Sequence, residues 1–140
     1  MIKHLLVILA ISIIIAGCIQ TQNAGTVVNL GENFTLNPGQ SASIPSEGLT
    51  FTFDKVLEDS RCPQGVQCFW AGQTTILVEA EKSGNSTSFE MTKKAGSIEP
   101  GTYDTKGYTF EFIDISPAKA QGQDISDERA NVTFRIMKAG

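Results

Sequence analysis

The sequence predicts an all-β fold, a small antiparallel β-sandwich. Three observations predict it. Short apolar-alternating runs recur about every eight to twelve residues, Gly, Pro, Asn and Ser punctuate them, and no long stripe at helical spacing appears. A chain of 140 residues supports one domain with one core, which two packed layers can fill.

The chain opens with a sorting signal over 1–17. Lys3 supplies the positive start, Leu5 to Ile15 is apolar apart from Ser12, and small residues precede Cys18. A spanning helix is the rival reading; it needs about 20 mainly apolar residues, and polar Gln20-Thr21-Gln22-Asn23 arrives too early. The segment Ile15-Ala16-Gly17-Cys18 resembles the lipobox of prokaryotic lipoproteins. That resemblance implies cleavage before Cys18 and lipidation of it, with plain secretion as the alternative. More than one acyl chain holds a protein stably on a bilayer where a single chain does so only marginally. The stretch 18–29 is polar and patternless, which suits a lipidated Cys18 followed by a tether, and the domain is expected over 30–140.

The strands are expected in order at Asn33–Leu36, Ser41–Ile44, Leu49–Leu57, Thr74–Glu81, Ser86–Thr92, Tyr108–Ser116 and Asn131–Lys138. An immunoglobulin-like sandwich has about seven to eight such strands. In the third run Leu49, Phe51 and Phe53 alternate with Thr50, Thr52 and Asp54, so period-two geometry buries the first set. Val56 then falls on the wrong side, and the sixth run flips between Phe112 and Ile113; a one-residue bulge explains each flip. Ser83-Gly84-Asn85 predicts a hairpin joining the fourth and fifth runs. In the last run Val132, Phe134 and Ile136 face in, with Thr133, Arg135 and Met137 outward. Between Ser116 and Ala130 the chain makes a long polar excursion carrying Asp124, Asp127 and Glu128.

From Cys18 onward ten basic residues stand against fifteen acidic ones, a net charge of −5, with no basic cluster longer than Lys93-Lys94. Nucleic acid and anionic lipid surfaces are poor partners for such a chain. The only histidine, His4, lies in the segment expected to be removed. Its loss excludes Ser-His-Asp and Cys-His nucleophile systems and removes the commonest zinc ligand. No cofactor is expected, and a monomer is.

One segment is unusual. Residues 58–72 gather Glu58, Asp59, Arg61, Cys62, Cys68, Phe69 and Trp70 between two strands. With Cys18 lipidated, Cys62 and Cys68 remain as an even pair in an oxidising compartment, where they are expected to bridge. Cys62-Pro63-Gln64-Gly65 suits a type I turn between the two sulfurs. Metal and redox readings are weaker: the first lacks histidine, the second lacks a Cys-x-x-Cys spacing at a helix start. An extended chain puts Trp70 on the face of Cys68, so burial against the bridge is the default and an exposed ligand platform the rival. Arg61 is expected to fix the loop through Asp59 or Glu58, with ligand binding as the alternative. Asp59, Arg61, Phe69 and Trp70 form the candidate binding surface.

The pattern Asp59-Ser60-Arg61-Cys62-Pro63 followed by Val66, Cys68, Trp70 and Gly72 resembles small prokaryotic secreted or lipoprotein domains of uncharacterised function. The resemblance implies a β-sandwich around a stapled loop and an extracytoplasmic location, and no activity. Three sequons, at Asn33, Asn85 and Asn131, are possible glycosylation sites. The acidic excursion lacks the ligand spacing of an EF-hand, and no carboxylate pair stands out for glycoside hydrolysis. The expected function is a non-catalytic envelope module that contacts a protein or glycan through the 58–72 loop. The alternatives are a peptidase inhibitor, a carboxylate- or metal-dependent envelope enzyme, or purely structural bracing.

Overall fold

A computed structural model describes residues 25–122 and 129–140. Cys18, where a lipid is expected, His4, and the acidic group Asp124, Asp127 and Glu128 lie outside the described residues. The described residues form nine strands: β1 (Thr26–Val27), β2 (Asn33–Leu36), β3 (Gln40–Ile44), β4 (Leu49–Asp59), β5 (Gln73–Lys82), β6 (Asn85–Lys94), β7 (Gly101–Thr105), β8 (Tyr108–Ser116) and β9 (Asn131–Lys138). One sheet has the order β1-β3-β4-β5-β6 and the other β2-β9-β8-β7. This is a two-layer sandwich. Its larger sheet is a sequential meander from β3 to β6, rather than the interleaved order of immunoglobulin domains.

Seven strands fall where alternation puts them, and two do not announce themselves. β1 is two residues long, too short to alternate, and pairs in parallel with Ala42 and Ser43 of β3. The folded region therefore begins before Leu30: Val28, assigned by the sequence to the tether, is 5% exposed and belongs to the core. β7 is an edge strand whose residues are mostly exposed. Only Tyr103 marks it, by stacking on Phe89 at 4.2 Å.

Aromatic rings join the layers. Phe51 of β4 stacks on Phe110 of β8 at 5.4 Å and meets Phe134 of β9 edge-on at 4.9 Å; Phe53 adds a second edge contact to Phe134 at 5.8 Å. All four are buried. Such ring pairs add to the hydrophobic gain of burying each side chain.

The expected bulges are present. The β4–β5 register shifts between Phe53 and Lys55, and β8–β9 shifts between Phe112 and Asp114. A second shift in β4, between Val56 and Glu58, leaves Leu57 unpaired. The β5–β6 hairpin turns through Ser83 and Gly84, at φ 53° and 77°, as a two-residue turn with both central residues left-handed demands. At that end Tyr108 accepts from Lys82 Nζ and donates to Glu47 at 2.6 Å. The Tyr108 hydroxyl, then Lys138, hold the Glu47 carboxyl below its ordinary range.

Truncating Phe134 to Ala removes the ring shared by these contacts and should cost about 4 kcal/mol, read as a lower urea midpoint at unchanged m-value.

Candidate functional site

The second β4 bulge builds the site. Without it Glu58 would stand opposite Thr74 and Asp59 opposite Gln73. With it, Asp59 pairs with Thr74, which is 1% exposed, so Asp59 turns inward. Its side chain is 4% exposed and that of Arg61 is 12%.

The two form a bidentate pair. Arg61 Nε donates to Asp59 Oδ1 at 2.8 Å and an Arg61 terminal nitrogen to Oδ2 at 3.0 Å. The other donors of the fork reach across the sandwich to the carbonyls of Ile115 and Pro117, both at 3.2 Å. Lys119 Nζ donates to the Asp59 carbonyl, and Gln64 N–H donates to the Lys119 carbonyl at 2.9 Å. The loop is thereby fastened to the chain that leaves β8.

Burial pushes the Asp59 carboxyl up, but the hydrogen bonds and charge of Arg61, with Lys119 behind, outweigh it and hold the group below its ordinary range.

Cys62 and Cys68 are disulfide-bonded, with Cα atoms 5.9 Å apart. The turn between them starts one residue later than the sequence suggests. Val66 N–H donates to the Pro63 carbonyl, and Gly65 takes φ +77° at the third position, the signature of a type II rather than a type I turn. Gln64-Gly65 lies at its centre because only a residue tolerant of positive φ fits there.

Trp70 departs from its expected place. The chain bends at Phe69-Trp70 instead of running extended, and the indole Nε1–H donates to the Ser60 carbonyl at 3.2 Å. The ring is held and 60% exposed, and Phe69 beside it is fully exposed. Ser60 also binds Gln73 through backbone and hydroxyl. Gly72 is obligatory here, because a Cβ would lie 2.1 Å from the Ser60 carbonyl oxygen and φ is +76°.

The four residues of the candidate surface thus separate into a buried pair, Asp59 and Arg61, and an exposed pair, Phe69 and Trp70. A cleft of about 530 Å³ opens beside Trp70, between the loop and the β6–β7 turn. Glu58, Lys94, Gly96 and Ser97 line it with the indole. A smaller cleft of about 300 Å³ adjoins it and shares Lys94 and the turn, with Arg61 and Asp114 in its wall. Lys93 Nζ braces that turn by donating to the carbonyls of Ser97 and Glu99 at 2.9 and 3.0 Å. Among the described residues the Lys94 ammonium has no ion-pair or hydrogen-bond partner. Sequence reasoning missed this second wall; Lys93-Lys94, the longest basic run, was its only signal.

The sequons are scattered. Asn33 and Asn85 are exposed on strand edges. The Asn131 side chain is engaged, donating to the Arg129 carbonyl and accepting from Asn37 Nδ2 at 2.9 Å.

Comparison with protein-family models, with curated proteins and with solved structures found no match.

Three outcomes follow for this end. Arg61→Ala leaves a buried carboxylate unpaired and should lower stability by about 3 kcal/mol. A native carboxyl below its unfolded value stabilises the fold above the ordinary aspartate range, and that gain is lost as pH falls through the native value. Denaturation midpoints should therefore fall from about pH 5 to pH 2, and in Arg61→Ala, where burial pushes the Asp59 carboxyl up without the guanidinium to oppose it, the Asp59 contribution to that fall should be lost or reversed. Replacing Cys62 and Cys68 by Ser should cost about 2 kcal/mol by release of loop entropy, measured by the same denaturation.

Proposed function

We propose that this chain is a non-catalytic, lipid-anchored, extracytoplasmic interaction module that holds a protein or glycan of the cell envelope in the cleft beside Trp70. The observation that carries the reading is the state of the indole. It is fixed by its bond to Ser60 yet 60% exposed, with its cleft open before it. An aromatic anchor immobilised before binding loses little entropy on association, and exposed aromatic surface of this kind is enriched at interaction sites. The unpartnered Lys94 ammonium supplies a polar contact at the cleft, and the lipobox-like close at Cys18 supports the anchor and the location.

Phe69 favours a second reading, a peptidase inhibitor. A fully exposed ring on a disulfide-closed loop suits insertion into an enzyme cleft.

Capture of envelope components by the full chain separates the two. Trp70→Ala should weaken capture by about 2 kcal/mol, roughly 30-fold in Kd, with Lys94→Ala weakening it less. Phe69→Ser should leave it unchanged. Slowing of a secreted peptidase that Phe69→Ser abolishes would instead establish the inhibitor. Equal capture by wild type and Trp70→Ala removes the cleft from the proposal.

A further inference from the structure

The loop end carries a surface that the clefts do not use. Seven large apolar side chains are exposed among the described residues, and five of them, Leu57, Val66, Phe69, Trp70 and Ile98, belong to this end. Four of the five line neither cleft; Trp70 alone borders both surfaces. Phe69 and Ile98 are 102% and 95% exposed, so nothing among the described residues covers them. The turns at the opposite end, Pro45–Glu47, Ser83-Gly84 and Lys106-Gly107, carry none of the seven. An apolar end of this kind marks an interaction surface.

The path of the chain indicates what meets it. β1 runs parallel to β3, and the antiparallel partner of β3, β4, runs toward the stapled loop. The backbone therefore enters β1 from the side of the loop end. Gly25 lies beside Ser41, level with Thr52 of β4, and Asp59 lies seven residues further on. At about 3.3 Å per residue, less the two bulges, that is about 17 Å. Six residues separate Cys18 from Gly25, and the seven steps between them span at most about 25 Å. A lipid on Cys18 can thus lie in the same bilayer surface that the loop end touches, and the anchor raises the effective concentration of that surface.

The chemistry agrees. Phe and Ile favour the acyl boundary, Trp the wet interface just above it. A net charge of −5 in the mature chain leaves apolar insertion, rather than attraction to anionic headgroups, as the driving term.

We infer that Phe69 and Ile98, with Leu57 and Val66 at the same end, dip into the interfacial layer of the membrane that carries the Cys18 lipid. The cleft then opens at the membrane surface, and its partner is met there. The inference rests on the lipid anchor proposed above and is independent of what the cleft binds.

Trp70 is the sole tryptophan and reports the contact directly. The full acylated chain is incorporated in phosphatidylcholine vesicles whose lipids carry a nitroxide near the headgroup, and flotation is measured alongside Trp70 emission. The expected result is flotation with Trp70 quenched at low and high salt, and loss of most of that quenching in the double variant Phe69→Ser/Ile98→Ser, which still floats. Flotation without quenching overturns the inference and leaves the anchor standing. Equal quenching in the double variant also overturns it, because the contact then does not run through the rim. A chain that does not float overturns the anchor and the inference together.

Discussion

The unpaired Leu57 is the constraint on which the loop end depends. One residue inserted into β4 exchanges the faces of Glu58 and Asp59, and only the inward residue reaches Arg61, Thr74 and the core side of the sandwich. An inward carboxylate needs a partner, since a buried lone charge is far costlier than a paired one. Arg61 meets that need, and because its fork has donors left over it also takes the carbonyls of Ile115 and Pro117. A register detail in one sheet becomes a cross-link to the other.

The loop therefore stands on three independent fastenings. The disulfide shortens the unfolded ensemble, the Asp59–Arg61 pair fixes the entry, and the Ser60–Gln73 bonds with Gly72 fix the exit. None of them buries Trp70 or Phe69. The rigidity is spent on holding aromatic surface in water, which gives the fold no stability of its own, and that mismatch between investment and burial is why the loop end reads as an interaction surface.

Much of the fold was legible because each signal was periodic. Phe51, Phe53, Val132, Phe134 and Ile136 obey alternation, and the parity flips after Phe53 and Phe112 mark two bulges in the sequence itself. The third bulge was silent. Leu57, 43% exposed, ends the expected run, and the two acidic residues that follow it, Glu58 and Asp59, give no apolar residue to show a second change of parity. β1 and β7 were silent for a related reason: they are edge elements whose residues contribute little to the core, so no pattern is imposed on them. At the site, the cysteines and the Asp59–Arg61 pair were readable from local spacing. The wall formed by Lys94, Gly96 and Ser97 was not, because it is brought to Trp70 by the pairing of β5 with β6 and lies more than twenty residues away along the chain. The position of Trp70 failed on an assumption of extended backbone, where the chain in fact bends to reach the Ser60 carbonyl.

The shortness of β1 has a mechanical meaning. A domain held through its amino-terminal side receives every tug on that side at Thr26 and Val27, whose ladder to β3 is two residues long, with one further bond from Val28 to Ser43. Force would open this small clasp before it could load the long ladders of β4, β5 and β6. Under the lipid anchor proposed above, peeling it away would lengthen the leash and uncover Val28, and β1 would act as a shock absorber ahead of the sandwich.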